Sequence, residues 1–225
     1  MKNYLYLLCI LLLASCSSSS NSPDFIEKAT GRYLFNENEV IEIYFKDQVL
    51  LAKWRDFEDI KPIKVNDSSF YMKELNEKLI FVSEPAMHIE LAPKTEHKGK
   101  KYNYRKLKAD EKTLAELIET KNFDELSIRY QTIKKKDSLN YLVNAKTINS
   151  LGYKYLRNKD FDTAIEIFKI NVILYPERSN SYDSLADGYL AQKDTAKAIE
   201  NYKKALSINP ENRSSRRKLK DITKK

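Results

Sequence analysis

The stretch YDSLADGYLAQKDTAKAIENYKKALSINP, residues 182–210, spaces its apolar and small side chains like two short helices joined by a turn. Residues 148–176, INSLGYKYLRNKDFDTAIEIFKINVILYP, align with it without a gap. Both stretches end in proline, at Pro176 and Pro210, which are 34 residues apart. A fixed period of this length is typical of a repeat protein, in which each unit buries its apolar face against the next.

The two stretches resemble the tetratricopeptide repeat in period and in residue types. Small residues stand where antiparallel helices touch, and aromatic residues fill the space between layers. The matching positions are Leu151, Gly152, Tyr155, Ala164 and Phe168 in the first stretch, and Leu185, Ala186, Tyr189, Ala198 and Tyr202 in the second. The resemblance implies an α-helical solenoid with one repeat at 144–177 and another at 178–211.

The helical region departs from the family pattern and extends beyond the two repeats. Asn171 stands where the family usually has alanine, and Ile148 replaces a large aromatic residue. Since two repeats alone rarely bury enough surface, further helices are expected on both sides. Residues 121–124 (KNFD) are similar in sequence to residues 159–162 (KDFD), which predicts linker helices and a degenerate half-repeat at 109–143. Residues 212–225 are polar and basic, as a capping helix would be.

A groove for a partner is the main functional expectation from this resemblance. Such stacks commonly bind a peptide or helix along the concave face formed by the first helix of each repeat. The residues expected on that face are Asn149, Tyr153, Leu156, Asn180, Asp183, Asp187 and Leu190. The two aspartates make carboxylate recognition by lysine and asparagine doubtful and favour a basic or neutral partner segment. The alternative is that these residues are simply solvated.

Residues 25–108 have the period of strands rather than of helices. Five to seven short apolar runs, such as 40–45 and 79–82, are separated by turn-forming residues about every ten positions. This predicts an antiparallel meander that closes into a small barrel or sandwich. The fold class is therefore α+β, with a small antiparallel β barrel or sandwich followed by an α-helical tetratricopeptide solenoid.

This β domain resembles the small domain of unknown function often found after serine β-lactamase-like hydrolase domains in bacteria. The resemblance rests on Gly31-Arg32-Tyr33, a charged hairpin, Phe70-Tyr71 and Leu79-x-Phe81. No catalytic residue follows from it. Trp54 and the tyrosines could line a ligand pocket, although such aromatic residues are more often core. The basic stretch 94–108 could bind phosphates or lipid headgroups, or could be a solvated linker or last strand.

The first 15 residues have the composition of a signal peptide. Lys2 is followed by an apolar run from Tyr4 to Leu13, which is shorter than the about 20 residues that a spanning helix needs. The run ends in Leu13-Ala14-Ser15-Cys16, which resembles the bacterial lipobox, so Cys16 is the expected site of lipidation. Residues 16–24 are polar and suit a tether. Acyl chains on Cys16 would anchor the protein almost permanently.

The expected location is the cell envelope. The residue after Cys16 is Ser17 and not an aspartate, which resembles the default signal for the outer membrane. The periplasmic face of that membrane is favoured over the cell surface. The formal net charge of +8 is compatible with nucleic acid, anionic lipid or acidic partners. For an exported protein nucleic acid is the least suitable of these, so we expect membrane attachment and an unknown protein or peptide partner.

The sequence carries no recognisable signature of catalysis, cofactor binding or metal binding. Four isolated glycines cannot build a phosphate loop, and two histidines cannot form a zinc cluster. Ser215-x-x-Lys218 matches the Ser-x-x-Lys motif of β-lactamases, but the partner motifs of those enzymes are missing. We therefore expect no enzyme, no cofactor and no metal.

These observations predict a membrane-anchored lipoprotein that acts as an interaction or scaffold module through its helical groove. Two alternatives stay open. One is an accessory subunit of an envelope hydrolase, suggested by the usual neighbours of the β domain. The other is a small-ligand binder that uses the aromatic β domain around Trp54.

Overall fold

The computed structural model describes residues 20–224. The signal peptide and Cys16 lie outside the described residues. The chain divides into two compact units, and the boundary in sequence lies between Glu111 and Lys112. The first unit consists mainly of strands and the second of helices. An antiparallel β domain followed by a helical region confirms the predicted fold class.

The described part of the first unit holds nine antiparallel strands in two sheets. The strands are β1 Gly31–Asn36, β2 Glu39–Lys46, β3 Val49–Trp54, β4 Phe57–Ile60, β5 Ile63–Asn66, β6 Ser69–Met72, β7 Glu77–Val82, β8 His88–Leu91 and β9 Asn103–Arg105. The sheet orders are β1-β2-β3-β4 and β5-β6-β7-β8-β9, which makes each sheet a simple meander. The first and last strands approach each other through a bridge between Tyr33 and Lys106, and β4 and β5 form the other two edges.

Two features explain why the sequence predicts fewer strands than the structure has. The apolar run at 60–65 is divided by Pro62, and its first residue belongs to β4, in which two acidic residues separate Phe57 from Ile60. The basic stretch at 94–108 contains β9, which places Tyr104 in the core at 6% exposure. Charged strands of three or four residues have too little apolar periodicity to be recognised.

A short helix, α1 (Pro23–Ala29), packs onto the aromatic core of this unit. Ser22 caps the helix by accepting a hydrogen bond from the backbone N–H of Phe25. The Phe25 ring lies 5.3 Å from Phe81, 5.8 Å from Phe70 and 6.0 Å from Phe45, measured between ring centroids. The predicted tether at 16–24 therefore needs correction at its described end, because α1 already begins at Pro23.

The second unit has seven described α-helices. They are α2 Leu114–Glu119, α3 Phe123–Lys136, α4 Ala145–Arg157, α5 Phe161–Leu174, α6 Ser179–Ala191, α7 Thr195–Ile208 and α8 Arg213–Thr223. Helices α4 and α5 correspond to the first predicted repeat, α6 and α7 to the second, and α8 to the basic cap. The predicted half-repeat is a complete hairpin, α2–α3, with a first helix of only six residues.

The three helical hairpins share one turn geometry. A lysine with positive φ is followed by an Asn or Asp that caps the next helix, at Lys121 (φ 54°), Lys159 (φ 64°) and Lys193 (φ 71°). In each turn the cap side chain accepts a hydrogen bond from the backbone N–H three residues later. The hairpin α2–α3 therefore has the same capped turn as the hairpins of the two repeats.

The contact between α4 and α5 depends on a glycine. A Cβ placed on Gly152 would lie 2.4 Å from Cε1 of Phe168, whose side chain is fully buried. The ring cannot easily move, because protein interiors are close-packed. Gly152 thus permits the close approach of these two helices, as the repeat pattern predicts.

Candidate partner-binding groove

Helices α4 and α6 carry the residues that the sequence predicts for a partner groove. Tyr153, on α4, is partly buried, and its hydroxyl donates a hydrogen bond to Oδ2 of Asp187 on α6 at 2.7 Å. Burial raises the pKa of Tyr153 well above its ordinary value. Tyr153 therefore stays a neutral hydrogen-bond donor at physiological pH and ties the two repeats together.

Asp183 is buried against the capping helix. Its side chain accepts hydrogen bonds from Ser215 Oγ at 2.6 Å and Ser214 Oγ at 3.1 Å, and lies 3.5 Å from Nζ of Lys218. Only 8% of the residue is exposed. A buried carboxylate needs such partners, because its desolvation would otherwise cost several kcal/mol.

Asp187 is also engaged within the stack. Besides Tyr153, the Tyr202 hydroxyl donates to its Oδ1 at 2.5 Å, and Lys218 Nζ lies 2.6 and 2.7 Å from its two oxygens. Burial, reinforced by this bond to Asp187, raises the pKa of Tyr202. The expectation of two aspartates displayed to a basic partner is therefore corrected, since α8 supplies the positive charge itself.

The contacts that the capping helix makes with Asp183 and Asp187 are what sequence reasoning missed. Ser215 and Lys218 appear in the sequence as a chance Ser-x-x-Lys match, yet both contact Asp183 in the structure. The basic character of α8 was visible from the sequence. Its target was not, because the cap has no counterpart within the two aligned stretches.

Asn149 lines a small cavity between the first turns of α4 and α6. The cavity has a volume of about 70 Å³, and its lining consists of Ala145, Lys146, Asn149, Asn171, Arg178, Asn180 and Ser181. Among the described residues, the buried Oδ1 atoms of Asn149 and Asn171 have no hydrogen-bond partner. The amide nitrogen of Asn171 donates to the backbone oxygen of Ala145 at 3.3 Å, which fixes the side chain in place. The cavity is thus lined by two asparagines that each have an unpaired acceptor oxygen and by two cationic side chains.

Leu156 and Leu190 complete the set of predicted groove residues. Both are partly buried and pack against the apolar cluster that contains Phe168 and Tyr202. They provide apolar contact area without a specific polar function. The structure therefore divides the predicted residues into Asp183 and Asp187, which the cap engages, and Asn149, which faces an accessible cavity.

Trp54 belongs to the core of the β domain. Its residue exposure is 7%, its ring centroid lies 5.5 Å from that of Phe35, and the Arg55 guanidinium stacks over it at 4.3 Å. A ligand pocket around Trp54 is therefore not supported by its position. Within residues 20–224, no group of three or more His, Cys, Asp or Glu side chains is placed to hold a metal ion. No helix in that range combines the length and the apolar character needed to cross a bilayer.

A tetratricopeptide repeat family model matches residues 179–212, the region of α6 and α7. One similar solved structure is the first tetratricopeptide domain of Spaghetti (RPAP3) bound to the HSP90 peptide SRMEEVD. The sequence identity is 19% and the TM-score is 0.35, and the match covers 49% of this chain and 85% of that one. Another is the first such domain of human RPAP3, at 19% identity and a TM-score of 0.36 over 49% and 84%. The domain of Arabidopsis OM64 gives 14% identity and a TM-score of 0.35 over 49% and 88%. No curated protein matches the chain.

The family match agrees with the repeat predicted at 178–211 to within one residue. Residues 179–212 are a tetratricopeptide repeat, a unit that typically serves protein interaction and not catalysis.

Proposed function

We propose that this chain is a lipoprotein anchored through Cys16, on the periplasmic face of the outer membrane, whose helical stack binds a protein or peptide segment. The tetratricopeptide repeat at 179–212 supports the interaction role. The lipobox-like sequence at 13–16 supports the anchor. As a scaffold, the protein would keep its partner near the membrane.

The observation that carries the binding role is the cavity between α4 and α6. Buried acceptors without a protein partner are rare in native proteins, and a ligand group or an ordered water usually supplies the donor. Here two residues with such oxygens, Asn149 and Asn171, line one cavity, and Lys146 and Arg178 belong to the same lining. A peptide backbone presents N–H donors beside carbonyl oxygens, which matches amide acceptors beside cations.

The charged side chains that stay exposed at the cavity also change the charge that is expected of the partner segment. Lys218 neutralises Asp187 and approaches Asp183, so the acidic groups do not attract a basic segment. Lys146, Arg178 and Asn180 are exposed at the cavity. A neutral or acidic segment therefore fits the groove better than a basic one, whereas the sequence favoured a basic or neutral segment.

The binding role is tested by Asn171→Ala in cells that carry a photo-crosslinking amino acid at position 180. Alanine occupies the equivalent position, Ala205, in the second repeat, so the variant should fold with stability within about 1 kcal/mol of the parent. We expect the crosslinked product, identified by mass spectrometry, to be lost in Asn171→Ala. It should persist in Asn201→Ala, a matched asparagine on α7 that lies outside the cavity lining. Equal crosslinking in the two variants would remove the cavity from the binding site.

A further inference from the structure

The described chain begins at a fixed point on the β domain. The backbone N–H and the side-chain amide of Asn21 both donate to the backbone oxygen of Gln48, at 2.9 and 2.8 Å. Lys64 Nζ donates to the backbone oxygen of Ser20 at 2.7 Å. Asn21 is only 5% exposed. The chain therefore leaves the domain beside the β2–β3 turn and the edge strand β5.

This exit point lies close to the proposed lipid-bearing residue in sequence. Four residue steps separate Ser20 from Cys16, and an extended chain covers at most about 3.6 Å per residue, which gives about 14 Å in total. An acylated Cys16 sits at the bilayer surface. The part of the β domain around Lys64 must then lie within about that distance of the membrane.

The surface at this exit point is apolar. A cleft of about 300 Å³ opens between β3 and β5, lined by Val49, Leu50, Lys61, Pro62, Ile63, Lys64 and Phe70. Ile63 and Val65, on the edge strand, are each 50% exposed. Within the described residues, neither β4 nor β5 has a strand on its outer side. Lys61 is exposed beside the apolar side chains, as lysines are at a membrane interface, whereas the Lys64 ammonium contacts Ser20 and Asp67.

Phe57 provides a contrast at the opposite end of the same domain. It is 60% exposed and pairs with Trp54, the last residue of β3, whereas the cleft is lined by Val49 and Leu50 at the start of that strand. Five residue steps along a strand correspond to about 17 Å. Phe57 is thus equally apolar and at least as exposed, but distant from the exit point of the chain.

We propose that the β5 edge and its cleft rest on the lipid bilayer, with Ile63 and Val65 in contact with lipid. The proposal rests on the anchor at Cys16 and specifies what the β domain does with it. The anchor supplies attachment, and the apolar edge supplies orientation. A domain held at two places cannot rotate freely about its tether, so the membrane fixes which of its sides faces outward.

The experiment uses single thiols in the full chain. The sequence has cysteines only at positions 9 and 16, so in a processed, lipidated protein an introduced cysteine is the sole free thiol. Ile63→Cys, Val65→Cys and the control Phe57→Cys are labelled with an environment-sensitive fluorophore. The lipidated proteins are reconstituted into vesicles of phosphatidylethanolamine and phosphatidylglycerol that contain a nitroxide-labelled lipid. We expect blue-shifted, strongly quenched emission at positions 63 and 65, and unquenched emission at position 57.

Two controls separate the failure of this proposal from the failure of the anchor. Incorporation of labelled palmitate and sedimentation with membranes, both abolished by Cys16→Ser, report the anchor. If the protein is acylated but position 63 is no more quenched than position 57, the oriented contact is refuted while the anchor stands. If palmitate is not incorporated, both proposals fail. A label at 63 that is shielded from aqueous iodide but not quenched by lipid means that a protein covers the edge, which also refutes membrane contact.

Discussion

The two repeats have matching helices but use their polar residues in opposite ways. In the second, Asp183 and Asp187 are fully engaged by Ser215, Tyr202 and Lys218. In the first, the residues 34 positions earlier are Asn149 and Tyr153, and α6 takes the place that α8 occupies beside the second repeat.

The same contrast appears on the second helix of each repeat. Ala205 is buried, and its backbone oxygen accepts a hydrogen bond from Ser179, which in turn accepts one from Asn212. At the equivalent position Asn171 leaves an acceptor oxygen unpaired. The polar groups of the repeat beside the cap thus bond within the stack, while the other repeat leaves the Oδ1 atoms of Asn149 and Asn171 unpaired, as the proposed binding role requires. The following predictions test that division, from the largest effect to the smallest.

Asp187→Ala should be the most destabilising change. It removes the common partner of the Tyr153 hydroxyl, the Tyr202 hydroxyl and the Lys218 ammonium, all partly or largely buried. Unpairing such groups costs about 3 kcal/mol, which urea unfolding would measure. Tyr153→Phe, at the equivalent position of the first repeat, removes one hydrogen bond and should cost about 1 kcal/mol. Adding Lys218→Met to Asp187→Ala should recover part of the loss. Equal costs for the two single variants would contradict the division.

Gly152→Ala should destabilise the first repeat by about 2 kcal/mol, because the new methyl group would overlap the buried Phe168 ring. Ala186→Gly makes the reverse change at the matching position of the second repeat and should cost about 1 kcal/mol through helix propensity, and up to about 0.8 kcal/mol more because a buried methyl group is lost. Thermal unfolding of both variants provides the measurement. A more stable Gly152→Ala protein would mean that propensity outweighs the steric overlap.

Tyr130→Phe should remove part of the sensitivity of the helical unit to alkali. Burial raises the pKa of Tyr130 to about 12 from an ordinary value of 10.0. The contribution of the neutral phenol to stability is therefore complete below pH 10 and is lost as the pH rises to and beyond 12. Between pH 8 and pH 11.5 the loss amounts to about 2 kcal/mol. The first repeat has Phe168 at the matching position, so Tyr130→Phe makes α3 like α5. Unfolding at pH 8 and pH 11.5 should show a smaller difference for the variant, and an unchanged difference would reject this assignment.

The helical repeats could be predicted because their chemistry is local and periodic. Gly152 and Phe168 meet because their spacing in sequence sets their spacing in space, and the repeat length follows from Pro176 and Pro210. The role of Lys218 could not be predicted, because the lysine lies 31 residues from Asp187 and belongs to a helix outside the aligned stretches. The exposure of the predicted groove residues depends on that contact, which explains why only part of the site followed from sequence.

The β domain shows the same limit for another reason. Strands such as β7 were recognisable because Leu79 and Phe81 alternate with exposed or partly exposed residues. The edge strand β5 combines Ile63 and Val65 with Lys64, and only the fold shows that the two apolar side chains remain at the surface. Alternation predicts a strand, but it does not identify the apolar residues that no second layer covers.

The three hairpin turns are less stable than they would be with glycine at the position of positive φ. Lys121, Lys159 and Lys193 all adopt a backbone conformation that costs a residue with a side chain about 1 kcal/mol relative to glycine. Because the turns lie in separate hairpins, glycine substitutions there should add nearly independently. A variant with a higher free energy of unfolding could thus be made without altering the core, the cap or the groove of the stack.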